Sequence, residues 1–157
     1  MTRGRRISAA LALATAIAIP AEGLRQYAYR DPAGIATICY GATAGVRMGD
    51  RATLDECRDR LDADMLAAID QVERCVPGLP AHMLAAWADA VYNIGPRIVC
   101  GPDSTAARLL SAGRLEDACE QLLRWNKARV AGVMVELPGL TKRRARERAL
   151  CLYGDIG

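Results

Sequence analysis

Two carboxylates and a hydroxyl stand close together near the N-terminus, at Glu22, Asp31 and Thr37, in a chain of 157 residues with a single histidine. One histidine, His82, leaves little room for a Ser-His-Asp or Cys-His nucleophile, and no glycine-rich phosphate cradle is present. Carboxylate chemistry remains. Glu22 lies directly behind an apolar stretch, so apolar surroundings are expected for it, an environment suited to a general acid. Asp31 sits in the polar turn sequence Asp31-Pro-Ala-Gly34, where an ionised carboxylate is expected. Two carboxyls in contrasting surroundings are what glycoside hydrolysis requires. Thr37 offers a hydroxyl to hold a water beside Asp31. Spacing alone leaves a plainer reading open, with Glu22 a helix-end charge and Asp31 a turn residue.

The elements that must position these groups follow from local pattern. Tyr27-Ala28-Tyr29 alternates, and Ile35-Ala-Thr-Ile-Cys-Tyr40 is β-branched and aromatic, which predicts a hairpin across the Asp31–Gly34 turn. A glycine-bearing loop follows from Gly41 to Gly49. Thr53 and Glu56 have capping-box spacing ahead of Leu54, Cys57, Leu61, Met65, Ala68, Ile69 and Val72, an amphipathic helix ended by Pro77, Gly78 and Pro80. A second helix is predicted from about Pro80 to Asn93, with Met83, Leu84, Trp87, Ala90 and Val91 inward, stopped by Gly95-Pro96. Asp103 or Ser104 caps a short helix to Ser111. Helices over Leu115–Lys127 and Thr141–Leu152, with a Gly- and Pro-bearing loop between, complete an α+β plan: a small hairpin lobe, a connecting helix and a helical lobe.

The N-terminal segment reads as an export signal. Arg3, Arg5 and Arg6 precede Ile7–Ile19, which is apolar or small throughout, and Pro20 closes it. The stretch is short of the roughly 20 residues that span a bilayer comfortably. A buried Ala-rich helix is the plainer alternative. Without those three arginines the body is balanced, 18 basic residues against 18 acidic. A nucleic-acid partner is therefore not expected. Cysteines at 39, 57, 75, 100, 119 and 151 fall in no metal-ligand spacing. Neither a metal nor a cofactor is expected. Behind an export segment they read as disulfides; sequence alone does not choose among the fifteen pairings, and the one adopted joins neighbouring elements: Cys39–Cys57, Cys75–Cys100 and Cys119–Cys151.

Glu22-Gly-Leu-Arg, Tyr-Arg-Asp31, Gly34 and Thr37-Ile-Cys-Tyr-Gly41 together resemble the active-site signature of the phage lysozyme family of glycoside hydrolases. In that family a Glu, eight residues, an Asp, five residues and a Thr form the catalytic triad, a spacing that Glu22, Asp31 and Thr37 reproduce. Ala90–Gly95, Ser104–Leu110, Trp125–Ala128 and Gly139–Arg144 with Glu147 and Cys151 resemble later family segments in order. The family usually has His in Gly-His-Thr, where this chain has Ala42. Tyr92 stands where Phe is commoner.

The resemblance implies a lysozyme-like two-lobed fold. It implies that residues 22–157 form a muramidase domain cutting the β-1,4 bond between N-acetylmuramic acid and N-acetylglucosamine in bacterial peptidoglycan. Glu22 would be the general acid, and Asp31 with Thr37 would orient the attacking water, with inversion. Asn93 is a candidate substrate contact or, equally, a helix-end cap. Residues 1–21 resemble a signal-arrest-release segment, exported, held transiently in the inner membrane through residues 7–21, then released into the periplasm intact. Cleavage after Ala16 or Ala21 is the rival. A monomer is expected. A lytic transglycosylase using Glu22 alone and a non-catalytic wall-binding module are the alternative functions.

Overall fold

A computed structural model describes residues 1–156; Gly157, the last residue of the expected domain, lies outside them. Helix α1 covers Arg3–Glu22. Alanine-rich composition favours it, the Thr2 hydroxyl accepts from the Arg5 N–H, and Gly23 ends it with φ 70° while its N–H reaches the Ile19 carbonyl. The expected export stretch is thus one helix running through to Glu22. Among the described residues no helix is long and apolar enough to cross a membrane. Ala10, Ala14, Ile17 and Ala18 are fully buried along one face. Their small side chains let α1 lie against α3 (Ala81–Ile94), itself buried from Met83 to Val91.

Strands β1 (Arg25–Arg30) and β2 (Ala36–Cys39) form the expected antiparallel hairpin, with Tyr29 opposite Thr37. Ile38, Cys39, Ala42 and Cys57 make its small separate core. Helix α2 (Leu54–Cys75) carries the expected capping box and connects the lobes. Six of its seven expected inward residues are buried. Leu54, at the first helical position, is exposed instead, because the chain there still faces solvent beside the cap.

Short helices α4 (Arg97–Cys100), α5 (Thr105–Ser111) and α6 (Leu115–Gln121) close the helical lobe. Ser104, not Asp103, caps α5, accepting from the Ala107 N–H. The helix expected to reach Lys127 ends in a single 3₁₀ turn at Arg124. The loop expected beyond it is a second hairpin, β3 (Lys127–Val130) with β4 (Val133–Glu136). Its turn residues Ala131 and Gly132 both have positive φ, the geometry that matches strand twist in a two-residue turn. Helix α7 (Pro138–Tyr153) starts at Pro138, three residues before the expected Thr141, because proline suits a first helical turn.

All three disulfides have the expected pairing, Cys39–Cys57, Cys75–Cys100 and Cys119–Cys151. They join β2 to α2, α2 to α4, and α6 to α7, so the first ties the hairpin lobe to the connecting helix and the other two brace the helical lobe.

Candidate active site

Glu22 is the last residue of α1, so a helix rooted in the core fixes its backbone while its side chain emerges at the junction of the lobes. It lines a cleft of ≈ 430 Å³ together with Tyr40, Gly41 and Thr43 from the hairpin lobe, Asp64 and Gln71 from α2, and Tyr92 and Asn93 from α3. The apolar surroundings expected for Glu22 are replaced on one side by an ion pair. Its Oε1 accepts from Arg143 Nη1 of α7 at 2.5 Å. Its Oε2 lies over Gly41, where an added Cβ would come to 3.3 Å. Gly41 has φ 92°, so backbone conformation and the nearness of Glu22 both call for glycine there.

Behind Glu22 lies a buried ionic cluster that sequence reasoning missed. Arg143 is 4% exposed and is gripped in bidentate fashion by Asp89, at 2.9 and 2.8 Å. Burial alone would lower the Arg143 pKa, but Asp89 first and then Glu22 raise it above the ordinary value, so it keeps its charge. The next residue, Arg144, pairs with Glu147 one helical turn further on, and both are fully buried. Burial pushes the Glu147 carboxyl well above the ordinary range; Asp89 adds to the rise and Arg144 opposes it. Arg144 Nη2 also donates to Asn93 Oδ1 at 2.9 Å. By itself the run Lys142–Arg148 has the pattern of a solvated basic helix face, so nothing local in it marks buried arginines. What could have marked it is Asp89, a lone acid inside the apolar pattern of α3.

The Tyr92 hydroxyl donates to the Tyr40 carbonyl at 2.7 Å, tying α3 to the end of β2. Burial, followed by the nearby Glu22 carboxyl, raises the Tyr92 phenol, which stays a donor. Asp64 was also missed, since it belongs to a charged helix sequence; burial at the cleft rim raises its carboxyl, with Arg60 opposing.

Asp31 and Thr37 are organised by one residue, Ile35. Asp31 Oδ1 accepts from the Ala33 and Ile35 N–H groups, both at 2.9 Å, which fixes the turn. The Thr37 hydroxyl is buried and donates to the Ile35 carbonyl at 2.8 Å. Its remaining lone pairs are acceptors. Arg30 braces the same turn through the Gly34 carbonyl. The cleft lining includes Glu22 and Asn93 but not Asp31 or Thr37, which stand on the hairpin beyond it. Ala42, where the resemblance led to expecting histidine, is buried in the hairpin core and pairs its backbone with Ile38 in both directions at 2.9 Å.

The phage lysozyme family model matches residues 20–147. The SAR-endolysin of Pseudomonas phage phiKMV is 40% identical over 148 residues, covering 92% of this chain and 89% of that protein. The muramidase domain of SpmX from Asticcacaulis excentricus has a TM-score of 0.78 at 31% identity, covering 92% of this chain and 95% of that one. The endolysin of Escherichia coli O157:H7 phage FAHEc1 has a TM-score of 0.77 at 30% identity, with coverage of 93% and 92%. A matched segment that begins at Pro20 and runs to Glu147 takes in Glu22, the hairpin and the buried cluster behind them. The chain belongs to the phage lysozyme family.

Proposed function

We propose that this chain is an exported endolysin that hydrolyses the β-1,4 bond between N-acetylmuramic acid and N-acetylglucosamine in peptidoglycan. The observation that carries this reading is Glu22 at the end of a core helix, facing an open cleft and held from behind by Arg143. Glu22 protonates the glycosidic oxygen as the bond to the anomeric carbon breaks. The buried guanidinium of Arg143, gripped by Asp89 on its other side, directs its Nη1 at Glu22. That charge stabilises the carboxylate formed as the proton leaves, a preorganised term of the kind that dominates such reactions.

Asp31 takes a proton from the attacking water. The water's second hydrogen is donated to Thr37, whose own proton is committed to Ile35, and its lone pair then faces the anomeric carbon. Attack from the side opposite Glu22 inverts the centre, for which the carboxyls should stand roughly 6.5–9.5 Å apart. The test is the product released from purified sacculi. Glu22→Gln should abolish the appearance of reducing ends, Asp31→Ala should nearly do so, and the first-formed anomer should be inverted by NMR. An anhydro-sugar end with activity kept in Asp31→Ala would establish the transglycosylase reading. Binding by the wild-type chain without any cleavage would establish the wall-binding module.

Residues 7–21 cross into the inner membrane for export and then leave it to form α1 in the periplasm. The four core residues of α1, Ala10, Ala14, Ile17 and Ala18, support an uncleaved active enzyme, because their removal would empty the space between α2, α3 and α7. The name SAR-endolysin of the phiKMV relative agrees with this route. Mass spectrometry of active periplasmic protein should find the apolar stretch intact. A terminus after Ala16 or Ala21 would overturn it.

A further inference from the structure

Asn93 is a cleft residue whose amide orientation is fixed from behind. Its Oδ1 accepts from Arg144 Nη2 at 2.9 Å. A guanidinium has only donors, so the amide oxygen must face it; a flipped amide would set donor against donor. Arg144 cannot turn away, since it is fully buried and Glu147 holds it at 2.7 Å. The amide nitrogen of Asn93 has no hydrogen-bond partner among the described residues, and Asn93 lines the same cleft as Glu22. A capping role does not account for it. The end of α3 is closed by backbone, the Gly95 N–H reaching the Val91 carbonyl at 2.7 Å.

We infer that Asn93 presents its NH₂ to the cleft as a donor for an amide carbonyl of the glycan substrate, and that Arg144, held by Glu147, is the positioning residue that fixes this polarity. The inference rests on the proposed function and specifies its substrate. In peptidoglycan an amide carbonyl comes either from the acetamido group of a sugar or from the first peptide bond of the stem. A site built to donate to such a group discriminates against a chain lacking it, because the donor is then left unpaired.

The test is binding, which needs no cleavage. The Glu22→Gln protein and its Asn93→Asp and Asn93→Ala derivatives are titrated with intact glycan strands, de-N-acetylated strands and strands stripped of stem peptides. Asn93→Ala should weaken binding to intact strands roughly tenfold. Asn93→Asp keeps an oxygen for Arg144 but turns an acceptor to the cleft, so it should bind no better than Asn93→Ala while melting with the parent. On whichever altered strand lacks the recognised carbonyl, the parent and Asn93→Ala should bind alike. The Arg144→Met/Glu147→Leu pair, which removes both buried charges together, should weaken binding as Asn93→Ala does. Parent-like binding by Asn93→Asp would reduce Asn93 to a structural partner of Arg144 and overturn the inference. So would the same parent-to-Ala ratio on all three strands. The expected binding pattern in a chain whose wild type releases no reducing ends would overturn the muramidase reading alone.

Discussion

At Gly41 an added methyl group would meet the carboxylate of the proposed acid. An alanine there takes on φ 92° and brings a Cβ to 3.3 Å of Glu22 Oε2. The strain of a left-handed alanine is about 1–2 kcal/mol, so Gly41→Ala should remain folded at room temperature. Its activity should fall by roughly 10–100-fold, because the acid is pushed off its position; urea unfolding and initial rates on sacculi separate the two effects. Arg143 makes the reverse case. Arg143→Met leaves Asp89 buried without its partner and should cost roughly 3–5 kcal/mol. Replacing Asp89 by Leu in the same protein removes the orphaned charge and should recover much of that stability. Activity should stay low in the double variant, since nothing then faces Glu22. Recovery of both together would show that Arg143 serves folding only.

At the scale of elements, the hairpin that carries Asp31 and Thr37 has little core of its own, four buried residues of which two are the halves of one disulfide. Cys39 also has φ 63°, a left-handed conformation that cysteine adopts only under constraint. Replacing Cys39 and Cys57 by Ala together should therefore cost about 3 kcal/mol by the chain-entropy account. The effect should appear as amide exchange across β1 and β2, with α3 still protected. Uniform loss of protection over both lobes would show instead that the hairpin and helices unfold as one unit. The second hairpin, β3–β4, was not foreseen. Its strands are four residues each, and Gly132 and Pro138 around them read as loop punctuation.

Across the whole molecule, the basic N-terminus is tied down by a distant acid. Arg6 donates to both oxygens of Glu73, at 2.5 and 2.8 Å, and to the Leu79 carbonyl at 2.9 Å. The hydrogen bond from Arg6 is the main reason the Glu73 carboxyl sits below its ordinary value of 4.5. A carboxyl with a lowered folded pKa stabilises above its unfolded pKa, and that contribution is lost as pH falls through the folded value. The stability difference between wild type and Glu73→Gln should thus be constant above about pH 5 and shrink below it. Chemical denaturation across that range checks the sign; a difference that grows on acidification would rule the pair out. The same contact bears on the proposed export route, since Arg6 can reach Glu73 only once α1 has joined the helical lobe.

Local sequence determined a good deal of this protein. Capping-box spacing and apolar periodicity placed α2 and turn residues placed the first hairpin, while even cysteine number pointed to disulfides whose pairing only the fold chose. The helix and turn signals are local, and the energies behind them act within a few residues. The resemblance at Glu22, Asp31 and Thr37 placed the chain in its family, which the match over residues 20–147 bears out. Only the tertiary structure decided what surrounds Glu22. Arg143 comes from 121 residues away in sequence, and Asp89 and Glu147 become a buried cluster only when α3 and α7 pack. Burial is a property of the packed whole, and it turns a run of basic residues that reads as solvated surface into the charge behind the acid. It also turns an apolar stretch that reads as an export signal into the helix from which Glu22 projects.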